Sequence, residues 1–235
     1  MEHDPFGRAI RDYHRGEQDE ALVDRDGAET REHPIEEFYF GAFEPESESG
    51  AWLTSWLDGP LLDMGAGAGR DTLYFQEHFE TVAIEPSASL VETMRDRGVR
   101  DARVGDMFTL RESFERDRFQ SALAIGTQMG LAGSMQGLRR FLGNLAFVTT
   151  PDASAVLDGY DPSHESEDLI GYRADPTPGL AHRVLHFEYD GDVGETLHFR
   201  LFSPDRVREA AVGTGWAVVE CRSDAGYYRL ALTKA

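Results

Sequence analysis

The chain has a single cysteine, Cys221, and a single lysine, Lys234. One thiol excludes an intramolecular disulfide, so a reducing compartment, the cytoplasm, is expected. Cys221 ends the run Ala217-Val218-Val219-Glu220-Cys221 and reads as a small apolar strand residue, not a nucleophile. No uninterrupted apolar run approaches the roughly 20 residues that cross a bilayer. The start, Met1-Glu2-His3-Asp4-Pro5, lacks both the basic flank and the apolar block of a secretory signal, so none is expected. Basic charge is scarce: 23 Lys and Arg stand against 43 Asp and Glu, a formal charge of −20. Nucleic-acid binding needs a basic footprint and is disfavoured.

The acids are spread through every segment, unlike the block of an acidic tail. Together with the near-absence of lysine, this dispersal predicts a halophilic protein that works in concentrated salt, where screening over about 3 Å suppresses self-repulsion. The 235 residues, 40% of them hydrophobic, suffice for one domain with elaborations. Residues 1–59 read as an N-terminal helical and aromatic cap, and 60–235 as the main domain with a loop and hairpin insertion at about 160–202.

Within the cap, Phe6, Ile10, Tyr13 and His14 lie near helical spacing over Asp4 to Arg15. Gly16 to Pro34 is mostly charged and carries no clear periodicity. Ile35, Phe38, Tyr39, Phe40 and Phe43 form an aromatic cluster that reads first as core packing; Tyr39 and Phe40 are also candidates for a lid. Ala51 to Leu57 reads as a helix presenting Trp52, Leu53, Trp56 and Leu57.

From Pro60 strands and helices alternate, the pattern of a parallel sheet with helices on both faces. Strands are expected at Leu61–Met64, Thr81–Glu85, Asp101–Gly105, Phe119–Ile125 and Ala153–Asp158, with helices at Arg70–Phe79, Ala88–Arg97 and Met135–Val148. Tyr160 to Gly179 is polar and holds three of the ten prolines, and reads as a loop or lid. His182–Tyr189 and Glu195–Phe202 alternate around Asp190-Gly191-Asp192-Val193-Gly194, a hairpin signal. Ser203-Pro204-Asp205 opens a helix with an N-cap, a proline at the first position and an early acid. Trp216–Cys221 and Tyr227–Thr233 close the chain as a strand pair.

Chemistry concentrates at Leu61-Leu62-Asp63-Met64-Gly65-Ala66-Gly67-Ala68-Gly69-Arg70-Asp71, a strand running into glycines at alternate positions. Glycine accepts positive φ and has no Cβ, so such a turn brings bare backbone to a ligand. Asp63, Glu85 and Asp106 fall at the ends of successive strands, and in an open parallel sheet ligands bind at those carboxyl ends. Asp63, two residues before the first glycine, would repel a phosphate there. It suits the ammonium of an amino-acid moiety, whose carboxylate would meet helix N–H groups. Arg70 stands where the Gly-x-Gly-x-x-Gly dinucleotide pattern wants glycine, and no Gly-Lys-Ser/Thr follows to make a P-loop. An NAD(P)-dependent oxidoreductase and a non-catalytic binding or regulatory protein of the same fold remain as alternatives. No histidine or cysteine grouping has metal-ligand spacing.

Asp63-Met64-Gly65-Ala66-Gly67-Ala68-Gly69-Arg70-Asp71, Glu85-Pro86-Ser87, Gly105-Asp106-Met107 and Thr214-Gly215-Trp216 together resemble the class I S-adenosylmethionine-dependent methyltransferases. The resemblance spans about residues 60–160 and resumes from Ser203. It implies a doubly wound, mostly parallel seven-stranded sheet whose last two strands form a hairpin with one antiparallel member. It also implies that Asp63, Gly65, Ala66 and Gly67 hold the methionine part of S-adenosyl-L-methionine and Glu85 its ribose hydroxyls. Asp106 would take the adenine amino group, with Pro86 and Met107 packed on the adenine faces. Gly126 and Thr127 would lie near the transferring methyl.

The Pro-Pro-Tyr type motif of nucleobase and amide methylation is absent; that place reads Ile125-Gly126-Thr127-Gln128-Met129-Gly130. A small-molecule acceptor is therefore expected, with Tyr39, Gln128 and Tyr160 as candidate contacts. Tyr39, Asp158, Tyr160, His164 and His198 are candidate bases, and nothing in the sequence ranks one above the others.

Overall fold

The computed structural model describes residues 4–164 and 169–235. The chain order is α1 (Pro5–Arg15), β1 (Val23–Asp26), β2 (Glu29–Glu32), a π-helical turn (Glu36–Phe40), α2 (Glu48–Trp56), β3 (Leu61–Met64), α3 (Arg70–Phe75), β4 (Thr81–Glu85) and α4 (Ala88–Asp96). There follow β5 (Ala102–Val104), a short 3-10 turn, α5 (Leu110–Ser113), β6 (Phe119–Ala124), a second 3-10 turn (Gln128–Ala132), α6 (Met135–Val148) and β7 (Thr149–Tyr160). The chain ends with β8 (Tyr172–Ala174), β9 (Leu180–Tyr189), β10 (Asp192–Val193), β11 (Leu197–Phe202), α7 (Pro204–Ala211), β12 (Trp216–Asp224) and β13 (Tyr227–Lys234).

Seven strands form one sheet in the order β12-β13-β7-β6-β3-β4-β5. β5, β4, β3, β6 and β7 are mutually parallel, while β13 runs antiparallel to both β7 and β12. Alternate residues of each strand serve opposite faces. Leu62, Ala122, Leu157 and Leu230 pack with Leu138, Phe141 and Leu145 of α6 and Val207 of α7. Their neighbours Leu61, Leu123, Val156 and Ala231 meet Trp52 and Leu53 of α2 and Phe75 of α3 on the other side. At about 1.5–3 kcal/mol for each large side chain removed from water, α2 is a substantial part of the fold, although it precedes residue 60. Its Trp52 Nε1 also donates to Glu220 Oε1 at 2.8 Å on β12.

Local signals fixed several boundaries. Asp4, Ser87, Ser134 and Ser203 cap α1, α4, α6 and α7, each accepting a backbone N–H inside the first turn. The helix expected over Arg70–Phe79 stops at Phe75, because Glu77 and His78 bond the carbonyls of Tyr74 and Phe75 three residues back. The fifth parallel strand begins at Thr149, four residues earlier than expected, where Thr149 faces Phe119 across a register shift.

The expected hairpin belongs to a second sheet. β9 is its spine: residues up to Leu185 pair with β8 and β11, and His186–Tyr189 pair with β1 and β10. β1 and β2 come from the charged stretch that showed no periodicity. All four residues of β2 are exposed, so nothing apolar marks the strand, and its charges suit a sheet edge. The cap and the insertion are thus hydrogen-bonded together. Of the proline-bearing loop, Tyr172–Ala174 is strand, and residues 165–168 lie outside the described residues. No helix among the described residues is long and apolar enough to cross a membrane.

Candidate functional site

The glycine turn follows β3, with Gly65, Gly67 and Gly69 at φ of 65°, 57° and 80°. Positive φ at all three is the backbone shape that disfavours side chains. A Cβ on Gly65 would also come within 2.8 Å of the Gln128 side chain, and one on Gly67 within 3.1 Å of the Tyr39 ring. Tyr39 from the cap and Gln128 from the loop after β6 therefore both lie over the turn. Ala66 faces the cluster made by Val91, Met94 and Val99.

Two buried carboxylates stand behind the turn. Glu85, at the end of β4, accepts from Gly67 N–H at 3.1 Å and from Ser87 N–H at 3.4 Å. Burial pushes it up to about 7, against the pull of those two amides. Asp63 accepts from Thr72 Oγ at 2.5 Å, and burial, with the nearby Asp71 charge, pushes it up to about 7 as well. Asp71 is itself paired with Arg70 at 3.0 Å. Asp106 is exposed at the end of β5 and caps the 3-10 turn through Phe108 N–H at 2.8 Å. Gly105 N–H bonds the Glu85 carbonyl at 3.1 Å, which places Asp106 beside Glu85. Pro86 is exposed, whereas Met107 is buried in the main core.

After β6 the backbone turns sharply at Gly126 (φ 96°) and Thr127 (φ 62°). A β-branched residue at positive φ is strained, by about 1–3 kcal/mol. Asp158, fully buried near the end of β7, holds it: its carboxylate accepts from Gly126 N–H at 2.8 Å and Thr127 N–H at 2.6 Å, and from the Tyr227 hydroxyl. Burial raises Asp158 above its usual range even with these donors. Tyr160 lies edge-on to Tyr227, 5.6 Å between ring centres. A cavity of about 160 Å³ flanks the glycine turn between Phe43, Arg70, Asp71, Ile125 and Arg229.

The cap is fastened to this crevice. Ser87 Oγ donates to Asp4, joining the N-terminus of α1 to that of α4. Arg97 donates to the carbonyls of Tyr39 at 2.9 Å and Ala68 at 2.6 Å, and its guanidinium lies over the Phe40 ring. Gly65, Gly67, Glu85, Gly126, Tyr39 and Gln128 are thereby brought together by direct contact. Asp63 lies behind the turn and Asp106 beside it, while Tyr160 packs on Tyr227, the residue whose hydroxyl bonds Asp158, and acts electrostatically on Arg183, as Tyr39 does.

No protein-family model and no curated protein sequence matches the chain. Solved structures do. A SAM-dependent methyltransferase from Bacteroides fragilis, in complex with S-adenosyl-L-homocysteine, is 23% identical and superposes with a TM-score of 0.81 over 99% of this chain and 95% of its own. The chain has the methyltransferase fold. The CcbJ methyltransferase of Streptomyces caelestis, 14% identical, matches 80% of this chain and 88% of its own with a TM-score of 0.60. CalS10, an amino pentose methyltransferase from Micromonospora echinaspora, is 16% identical and matches 74% of this chain and 83% of its own at 0.56. The Bacteroides likeness covers the cap and insertion of this methyltransferase fold as well as its seven-stranded sheet.

Several residues at the crevice carry no local sequence signal. Thr72, Arg97, His33 and Asp24 reach it only through tertiary contacts. Asp158 did carry one, since it is a further acid at the end of a parallel strand, as Asp63, Glu85 and Asp106 are.

Proposed function

We propose that this protein is an S-adenosylmethionine-dependent methyltransferase that methylates a small-molecule acceptor by in-line displacement. The observation that carries this reading is the Gly67 N–H bond to the buried Glu85, behind a turn in which a Cβ at Gly65 or Gly67 would meet a neighbouring side chain. Such a cradle fits the cofactor: bare backbone at Gly65, Ala66 and Gly67 and the Asp63 carboxylate for its methionine part, and Glu85 for its ribose hydroxyls. Asp106, Pro86 and Met107 are assigned to its adenine, with Gly126 and Thr127 beside the methyl. When bound, the cofactor supplies an activated methyl on a sulfonium. The chain's own task is to orient the acceptor and exclude water, and holding reactants in line is worth up to about 7–11 kcal/mol.

The cap, the described part of the segment after β7 and the second sheet form the roof of the acceptor pocket in this reading, with Tyr39, Gln128 and Tyr160 as its contacts. Asp63 beside the turn, and Arg70 in place of a further glycine, weigh against a nicotinamide-dependent oxidoreductase. The dispersed acids support work in concentrated salt and weigh against a nucleic-acid partner, and the single cysteine fits a reducing cytoplasm. Calorimetry in molar KCl tests the cofactor: S-adenosylhomocysteine should bind at micromolar concentration, and binding of NAD in its place would overturn the reading. Turnover of S-adenosylmethionine against a panel of amines, hydroxy compounds and activated carbon acids then separates an enzyme from a non-catalytic binder.

A further inference from the structure

A chain of hydrogen bonds outside the cofactor cradle runs from the second sheet to the glycine turn. Asp24 of β1, buried, accepts from His33 Nδ1 at 2.9 Å; His33 Nε2 lies 3.1 Å from Tyr39 Oη; and the Tyr39 ring rests on Gly67. The other Asp24 oxygen faces the Arg183 guanidinium of β9 at 3.5 Å. Arg183 is further fixed by its Nε donating to the Ile170 carbonyl at 3.0 Å. The imidazole is boxed by the rings of Phe6, Phe38, Tyr39 and Phe187, with centres 5.4 to 5.9 Å away.

The order of donors follows from the groups themselves. A carboxylate turned to an arginine only accepts, so His33 carries its proton on Nδ1 and leaves Nε2 as an acceptor. Tyr39 must then donate to His33, and the lone pairs of its oxygen remain for a group arriving over the turn.

We propose that Tyr39, His33 and Asp24 form a proton relay that takes the proton an acceptor loses on methylation. This inference rests on the methyltransferase reading above. As the acceptor X–H takes the methyl, with the carbon–sulfur electron pair leaving on sulfur, its proton passes to Tyr39 Oη. Tyr39 gives its own proton to His33 Nε2, and the resulting imidazolium is stabilised by Asp24. Tyr39 ends as neutral phenol, which matters because burial, with the charges of Glu85 and Asp24, pushes its ionisation far above the usual value and closes the route through a free phenolate. Tyr39 is the catalytic residue here, and His33 and Asp24 are positioning residues. His33 also lines a cavity of about 470 Å³ together with Glu32, Glu36 and Glu37.

The charged and titratable groups around this chain include Asp24, Arg183 and Arg31 from the second sheet, Tyr160 near Arg183, Glu85, Arg70 and Arg97 from the crevice, and Glu32, Glu36 and Glu37 at the cavity. Nitrogen-15 NMR of the full-length protein reads the relay without an acceptor. His33 should be bare at Nε2 and protonated at Nδ1, and Tyr39→Phe should shift the Nε2 resonance while leaving S-adenosylhomocysteine affinity within about twofold. A proton resident on Nε2 overturns the relay. So does a loss of affinity beyond about tenfold in Tyr39→Phe, which would make the phenol a cofactor contact. With an acceptor in hand, Tyr39→Phe should lower kcat about 100-fold or more with KM for S-adenosylmethionine unchanged, and His33→Asn should also lower kcat with KM unchanged. A fall confined to KM, or a kcat unchanged in His33→Asn, counts against the relay. Absence of cofactor binding would instead sink the methyltransferase reading and leave the NMR result to be read on its own.

Discussion

Replacing Asp158 by Asn tests how the loop after β6 is held. The carboxylate takes two backbone N–H groups, from Gly126 and Thr127, and the Tyr227 hydroxyl, in a fully buried position. Asn keeps the shape and therefore leaves no cavity. It offers one carbonyl oxygen, so one of the two amides meets an NH2 group and is left without an acceptor, at about 1–3 kcal/mol. The surviving bonds lose their charge assistance, roughly half their strength. Against this, a neutral amide escapes the desolvation that raises the native carboxyl. The net expectation is a loss of about 2–4 kcal/mol, within the range for breaking a buried polar network. Urea unfolding at fixed salt measures it, with the midpoint falling at an unchanged m-value. A loss below about 0.5 kcal/mol, the range of ordinary surface substitutions, would refute the assignment of Asp158 as the anchor of Gly126 and the strained Thr127.

Further expectations rest on other parts of the structure. Asp63 and Glu85, both held near 7, bind protons in the folded state that they lose when unfolded above pH 4 to 5, so their contribution is full at low pH and is lost as pH rises through 7. Each steepens the fall of stability with rising pH by up to about 1.4 kcal/mol per pH unit in that window, and melting curves of Asp63→Asn and Glu85→Gln should be correspondingly flatter. Glu85→Gln should also weaken S-adenosylhomocysteine by at least tenfold in calorimetry. Trp52→Ala, which strips α2 from the seven-stranded sheet and breaks the bond to Glu220, should cost about 3–5 kcal/mol by urea titration. The midpoint of unfolding should climb as KCl is raised from low to molar concentration, and greater stability at low salt would remove the halophilic reading.

What could be read from sequence follows the range of the interactions concerned. Apolar runs bounded by glycine, and serine or aspartate ahead of helices, act over a few residues, and they located the parallel strands, the glycine turn and the caps at Ser87 and Ser203. Leu61 and Leu62 show their opposite faces in any strand. The second sheet escaped because β2 is wholly polar and β1 owes its place to β9, which lies far along the chain. The sequence offers Tyr39 as a core or lid aromatic, an acceptor contact and a candidate base, but its rest on Gly67 depends on Arg97, Asp4 and the docking of α1 on α4. His33 and Asp24 are nine residues apart in an uninformative stretch, and only the hairpin of β1 and β2 with Pro34 beyond it brings them together. Met107, which the resemblance places against adenine, is buried in the main core cluster.

Titration calorimetry of the purified chain with S-adenosylhomocysteine in molar KCl asks whether the crevice at Asp63, Gly65, Gly67 and Glu85 holds the proposed cofactor. One site of micromolar affinity is expected, weakening as pH falls below 7, where Asp63 and Glu85 take up protons. No heat of binding at millimolar ligand, or saturation by NAD alone, would contradict it.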